Sequence, residues 1–242
     1  MDLNADLGES WYHQRIGNDE ALMPLLDSCN VACGFHGGDA LTMQKTIDLA
    51  LRHGVNIGAH PSYPDRKNFG RRVILMPLEA LEALLLYQIS ALRGMLEVAG
   101  GTLHHVKLHG ALYHFAGGDA AAAKVVVRVV KSLGIPILYG LPGSALAAEA
   151  HAAGLDFWPE GFADRRYDNS LHLRPRDKDD ALLEDPAAAA EQVRLLARSQ
   201  LVRAHNGDFY PLSVKTICLH GDHPGAVARA RAVREVLGPR KK

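Results

Sequence analysis

The sequence predicts an α/β fold built on parallel strands, and three observations carry that prediction. Seven short apolar runs alternate with seven helical stretches from end to end of the 242 residues. The runs are mostly continuous rather than strictly alternating, as strands buried on both faces of a parallel sheet are. The longer stretches are dominated by Ala, Leu, Arg and Glu and carry recognisable start and stop residues. Parallel strands joined by right-handed helical crossovers have two main solutions, an open doubly wound sheet or a closed barrel.

In chain order the strand candidates are Asp2–Asp6, Cys29–Phe35, Val55–His60, Leu103–His109, Ile135–Gly140, Leu155–Glu160 and Val214–His220, each five to seven residues long. Asn18 caps a first helix that runs to Asp27. Asp39 caps Ala40–His53, and Gly54 closes it from the C′ position. Pro77 suits the first turn of a long helix to Ala99, stopped by Gly100 and Gly101. Asp119 opens an Ala/Val-rich helix that ends near Leu133, and Ser144–Ala153 forms a shorter one. Pro186 starts a helix through Leu201, and Pro224 starts the last, which ends before Gly238. No Pro/Ser-rich linker or shift in composition divides the chain, so residues 1–242 read as one domain. The long irregular stretch Gly161–Asp185, about 25 residues, exceeds ordinary connections and reads as a lid or a small excursion.

Composition excludes several classes. Hydrophobic residues make up 48% and charged residues 22%, far from a disordered chain. Lys+Arg and Asp+Glu both number 27, so the basic excess of a nucleic-acid binder is missing. The one basic run, Arg240-Lys241-Lys242, reads as a solvated end. No run approaches the roughly 18 apolar residues of a membrane span. The first residues carry acids where a signal peptide is basic and then apolar. Cys29, Cys33 and Cys218 sit in apolar runs and read as buried thiols of a reducing compartment. A cytoplasmic protein with no membrane or nucleic-acid partner is expected.

The 13 histidines are informative through their placement. Strand one ends in Asn4, Asp6 and Glu9; strand two in His36 and Asp39; strand three in His60, Ser62 and Arg66. Strand four ends in Lys107, His109 and Tyr113; strand six runs into Glu160, Asp164 and Arg165; strand seven ends in His220 and Asp222. In parallel β/α folds the carboxyl ends of the strands open onto one face, where active sites assemble. A single histidine at a strand end is usually a hydrogen-bonded structural residue. Four of them, at four strand ends, point to a shared site. His53 and His151, on helices, need no function, and His53 suits the helix C-terminus.

Gly-x-Ser-x-Gly, Gly-x-x-x-x-Gly-Lys-Ser/Thr and Gly-x-Gly-x-x-Gly are all missing, so neither a serine nucleophile nor a recognised phosphate loop is indicated. What remains is a ring of Asp, Glu, His and one Lys. That set suits acid/base hydrolysis, with Lys or His⁺ facing an oxyanion. It equally suits a divalent ion held by one Asp and two His, with Asp6, His36 and His60 as candidates. Spacing alone does not choose between the two.

Seven segments resemble the lactam-utilization (LamB/YcsF) family: Asp2–Ser10 (DLNADLGES), Asn30–Asp39 (NVACGFHGGD), Gly58–Asp65 (GAHPSYPD), Asn68–Arg72 (NFGRR), His105–Tyr113 (HVKLHGALY), Glu160–Arg165 (EGFADR) and Cys218–Asp222 (CLHGD). The match runs in order from residue 2 to about residue 225. Trp11–Gly17 departs from it, and Leu108 stands where such proteins often carry Pro; neither change touches a polar candidate. The resemblance implies a seven-stranded parallel (β/α) barrel related to glycoside hydrolases and polysaccharide deacetylases. It also implies ATP-coupled hydrolysis of 5-oxoproline to glutamate, performed as the A component of a 5-oxoprolinase together with subunits B and C.

A five-membered lactam keeps full amide resonance, so phosphorylating its oxygen explains a need for ATP. On this reading Asp6 or Glu160 with His109 serves as base and acid. Lys107 faces the phosphoryl or oxyanion charge, Arg66 or Arg71 clamps the carboxylate, and His36, His60 and His220 orient water or hold a metal. The remaining candidates, Asn4, Glu9, Asp39, Ser62, Tyr113, Asp164, Arg165 and Asp222, line the substrate site. Two rivals are a stand-alone metal-dependent amide hydrolase and a non-catalytic component that hands substrate to a partner.

Overall fold

The structure is a computed structural model and describes residues 1–176 and 178–240. Lys241 and Lys242, the end of the basic tail, lie outside the described residues. Seven parallel strands close into a barrel in the order β1 (Asp2–Leu7), β2 (Ser28–Ala32), β3 (Asn56–His60), β4 (His105–Lys107), β5 (Ile137–Gly140), β6 (Asp156–Phe162) and β9 (Thr216–Leu219), with β9 pairing back onto β1. Of the two solutions left open by the strand pattern, the chain adopts the closed one.

Each strand sends alternate residues to opposite faces. Leu3, Ala5, Cys29, Val31, Ile57, Val106, Leu138, Ile217 and Leu219 are buried in the hydrophobic core. Many of the intervening positions on β1, β2 and β4 are polar and reach across the barrel: His105 on β4 bonds Asn30 on β2, and Lys107 on β4 bonds Asp6 on β1. Gly58 makes room for this interior, since a Cβ there would lie 2.1 Å from His105 Nε2.

The expected caps hold. Asp39 accepts from Thr42 N at the start of α2 (Ala40–His53), Asp119 from Ala122 N before α5 (Ala120–Ser132), and Ser144 from Ala147 N before α6 (Ala145–Ala152). On α3 (Leu78–Val98), Leu81, Leu85, Ile89, Leu92 and Leu96 bury one stripe at three- and four-residue spacing.

Four helices depart from the sequence reading. The expected Asn18–Asp27 helix is a single turn, α1 (Asp19–Leu22), tightened into a 3₁₀ turn (Met23–Leu25) that contains Pro24. The stretch between strand four and Asp119, to which the sequence reading gave no element, is a helix, α4 (Gly110–Gly118). Leu201 does not end the helix α7 (Pro186–Ser199); it starts β7 (Leu201–Arg203), which pairs antiparallel with β8 (Phe209–Pro211). The final helix, α8, covers Ala226–Leu237 and starts two residues after Pro224. Between β6 and α7, the irregular stretch is tied by isolated bridges, Arg165 with Leu182 and Tyr167 with Leu173. Among the described residues no helix is long and apolar enough to cross a membrane.

Candidate active site

The alternation of β1 sends Asp2, Asn4 and Asp6 inward in succession, and the rest of the interior is matched to them. Asn4 donates to Glu160 Oε1 (3.0 Å) and Thr216 Oγ1 (2.7 Å) and accepts from Asn30 (2.7 Å). Asn30 also donates to Asp6 Oδ1 (2.8 Å) and faces His105 Nε2 at 2.6 Å. The Lys107 ammonium sits 2.9 Å from Asp6 Oδ1, 3.2 Å from Glu160 Oε1 and 3.0 Å from Cys218 Sγ. Tyr113, on α4, closes the network by donating to Glu160 Oε2 (2.8 Å). Burial alone would neutralise Lys107, yet the Asp6 carboxylate and its other neighbours hold its pKa well above the ordinary value.

Above this network three imidazoles meet. His60 Nδ1 faces the Lys107 carbonyl (2.8 Å) and His109 Nε2 faces the Phe69 carbonyl (2.8 Å). His36 Nδ1 faces Ser62 Oγ (2.8 Å), whose own proton goes to the Tyr63 carbonyl (3.0 Å). Oxygens with no proton to give fix N–H on those outer nitrogens, so neutral rings turn bare lone pairs inward. His60 Nε2 and His109 Nδ1 then oppose each other at 3.0 Å, with Asp6 Oδ2 3.3 Å from the former and Glu9 Oε1 3.7 Å from the latter. A shared proton or a cation satisfies such a pair. Gln88 of α3 clamps Ser62 by both backbone groups (2.9 Å each) and so sets the His36 ring.

Glu9 Oε1 and one nitrogen of each of His36, His60 and His109 lie within 4.8 Å of one another. Imidazoles whose second nitrogen is tied to oxygen, with lone pairs converging beside a carboxylate, suit a divalent ion. The stacking sets a limit: the His36 and His109 rings are almost parallel (3°) at 3.6 Å, so one ion cannot lie in the plane of both. An ion held by Glu9 and His60 therefore takes one of His36 (Nε2 3.2 Å from Glu9 Oε1) and His109 (Nδ1 3.7 Å), not both; of the sequence-derived trio Asp6, His36 and His60, both imidazoles belong to this cluster, with Asp6 alongside.

A cavity of about 310 Å³ opens over these groups at the carboxyl ends of the strands. Asp6, Glu9, His60, Lys107, His109 and His220 all line it. The carboxyls of Asp6, on β1, and of Glu9, two residues beyond its end, are driven apart in pKa. Burial raises both, but His60 and Lys107 hold Asp6 well below the carboxylate range, whereas Asp6 and Asp222 add to burial and push Glu9 well above it. Burial and the neighbouring imidazoles hold His36 and His109 well below the usual histidine value, so both rings are neutral.

A model of the LamB/YcsF family matches residues 1–241. The chain belongs to the LamB/YcsF family. A Methylococcus capsulatus protein, named as the A subunit of 5-oxoprolinase, is 48% identical over 99% of this chain and 93% of its own. The crystal structure of a lactam utilization protein from Thermus thermophilus superimposes with a TM-score of 0.92 at 41% identity, covering 98% of this chain and 95% of that one. A family 4 carbohydrate esterase from Streptomyces lividans (TM-score 0.50, 12% identity, 98% and 86% covered) shares the fold.

Within this LamB/YcsF barrel the sequence-derived candidates divide by position. Tyr113, Arg71, Arg165 and Asp222 join the cavity wall. Asn4 and Glu160 form the floor beneath Lys107. Asp164 stands behind His220, accepting at 2.8 Å from its ring and 2.9 Å from its backbone N–H, and this pairing overcomes burial to lower the Asp164 pKa. Ser62 stands behind His36. Two candidates are spent on structure: Asp39 caps α2 and binds Tyr12 N (2.8 Å), and Arg66 donates to the Gly34 and Gly38 carbonyls. Residues that the sequence reading did not single out also contribute: Asn30 and His105 in the barrel, Gln88 behind Ser62, and Phe69, His114, Arg174 and Arg176 on the wall. The alternation in Ser28–Asn30 and His105–Lys107 marks the first two. Gln88 and the arginines carry no such signal.

Proposed function

We propose that this chain is the hydrolytic A subunit of an ATP-dependent 5-oxoprolinase, acting in the cytoplasm with subunits B and C. The observation that carries the reading is the pair of carboxyls, Asp6 beside the Lys107 ammonium and Glu9 beside the imidazoles, that face one cavity and whose pKa values are pushed in opposite directions. Carboxyls with pKa values driven apart are the equipment of acid/base hydrolysis. Asp6 Oδ1 is held by Lys107 and Asn30, which leaves Oδ2 to take a proton from water. Water adds to the ring carbon of the O-phosphorylated lactam. The C–N bond then breaks, and the departing nitrogen takes the Glu9 proton. The resulting acyl phosphate is hydrolysed by a second water to glutamate and phosphate. Glu9 replaces His109 as the acid because the buried His109 ring is neutral.

Reconstitution with the two partner subunits, 5-oxoproline and ATP tests this by glutamate release. Asp6→Asn and Glu9→Gln are each expected to slow it by about 100-fold or more, the size of one acid/base contribution. A full rate in either variant would refute its role.

The converging lone pairs support a second reading, in which Glu9 and His60, with either His36 or His109, hold a divalent ion. Such an ion would supply Lewis-acid polarisation of the amide oxygen or a more acidic water. Asp6 would keep its place as the proton acceptor beside it.

A further inference from the structure

The wall of the cavity carries more positive charge than its own carboxylates answer. Arg71, Arg165, Arg174 and Arg176 line it, together with Lys107. Lys107 is already matched by Asp6 and Glu160, and Arg174 by Asp180 at 2.8 Å. Arg71 meets Asp222 at 3.1 Å, and Arg176 faces His223 Nε2 at 3.2 Å. Among the described residues Arg165 is the least answered: it is 5% exposed, gives one nitrogen to the Arg174 carbonyl, and has its Nε buried with no partner there. A buried guanidinium on the wall of an open cavity that no carboxylate among the described residues pairs with has charge left for an anionic ligand.

We propose that Arg71, Arg165 and Arg176 form a cradle for a phosphoryl group at the mouth of this cavity. Guanidinium forks match the oxygens of phosphate in pairs, and three of them fit a dianion better than a single carboxylate. Their mutual repulsion agrees. Burial and then Arg176 lower the Arg165 pKa to about 10, and burial and then Arg71 lower that of Arg176. An incoming dianion relieves that repulsion. The cradle deepens the 5-oxoprolinase reading, on which it rests, by naming the form of its substrate: a lactam that already bears phosphate, with the phosphoryl at the mouth and the ring carbon over Asp6. Charge neutralisation at the floor moves the phosphoryl contact from Lys107, where sequence reasoning put it, to the arginines.

Binding to the purified full chain tests this without any turnover. Inorganic phosphate, acetyl phosphate, ATP, tripolyphosphate and 5-oxoproline are titrated by calorimetry against wild type, Arg165→Lys, Arg176→Ala and Arg71→Ala, with thermal melts to verify folding. The expected result is phosphate and acetyl phosphate binding that weakens at least tenfold in Arg176→Ala and Arg165→Lys. Arg176→Ala, at a half-buried position, keeps the test open should Arg165→Lys fail to fold. Equal affinity of ATP and tripolyphosphate assigns the phosphoryl to the lactam, and tighter ATP binding assigns it to a nucleotide. Phosphate binding unchanged in the variants, or 5-oxoproline alone binding as well as acetyl phosphate and losing as much, overturns the cradle. Loss of glutamate release with phosphate binding intact in the wild-type chain would instead strike the 5-oxoprolinase reading alone.

Discussion

Replacing Lys107 by Met tests the electrostatics on which the site stands. Lys107 and Met have similar length, so the substitution removes charge more than volume. In the native barrel the ammonium lies 2.9 Å from Asp6 and 3.2 Å from Glu160. At an effective dielectric of 20 those contacts are worth about 6 and about 5 kcal/mol before desolvation is subtracted. Taking the ammonium out of water offsets several kcal/mol of this, yet deleting the cation alone strands its partners and costs about 3–5 kcal/mol. Urea unfolding of the full chain at pH 7, followed by circular dichroism, reads that loss. Asp6→Asn in the Met background is expected to recover part of it, because Asn keeps the oxygen that accepts from Asn30 while shedding the orphaned charge. A Lys107→Met variant within about 1 kcal/mol of wild type would refute the reasoning. So would a double variant no more stable than the single one.

Two further outcomes follow from the same chemistry. Asp19 accepts from Gly8 N at 2.8 Å, and burial raises its pKa to about 6. The folded state therefore binds a proton more readily than the unfolded one, and Asp19 erodes stability as pH rises from about 4 to about 6. Asp19→Asn keeps an acceptor for Gly8 and is expected to stabilise the chain at pH 7 by about 1–2 kcal/mol, discounted for partial solvent contact, with no gain at pH 4; urea midpoints at the two pH values check it, and an equal gain at both would refute the assignment. If the inward lone pairs hold a cation, Co²⁺ added to the metal-free chain gives visible d–d absorption and a raised melting temperature, both lost in His60→Ala. An unchanged spectrum and melt would leave the proton-shared form of the His60–His109 pair.

The strands were legible because each apolar run is bounded by Gly, Pro or a helix cap, and the caps Asp39, Asp119 and Ser144 do in the structure what their residue types predict. Closure of the sheet was legible only through the family resemblance, which implied the seven-stranded barrel that the structure has, since neither periodicity nor length separates an open sheet from a barrel. Helix α4 escaped notice because it starts with Gly110, ends with Gly117 and Gly118, and follows the strand with almost no connection. The β7–β8 hairpin had its signal in Asn206-Gly207, a turn pair between apolar runs, but the preceding helix pattern absorbed Leu201. In the site, the groups at strand ends were legible, and so was part of the wall through Arg71, Tyr113, Arg165 and Asp222. Arg174 and Arg176 lie in the irregular stretch, where nothing in the local pattern says which way a side chain faces.

The barrel interior itself carries the strongest case for chemistry. A small parallel barrel is ordinarily filled by branched apolar side chains in layers, and well-packed apolar groups stabilise a core at least as well as buried ions do. Here Asn4, Asn30, His105, Lys107, Glu160 and Thr216 occupy those layers, each 3% exposed or less. Stability gives no reason for that choice, because every one of these groups had to be desolvated and then matched. The matching has a direction. Asn30 donates to both Asn4 and Asp6, Asn4 donates onward to Glu160 and Thr216, His105 holds Asn30, and Lys107 fixes one Asp6 oxygen while leaving the other to the cavity. The network orients the Asp6 carboxylate and lowers its pKa where burial alone would raise it, on the same cavity as Glu9, whose pKa burial and Asp6 raise. A core built for stability alone would leave neither.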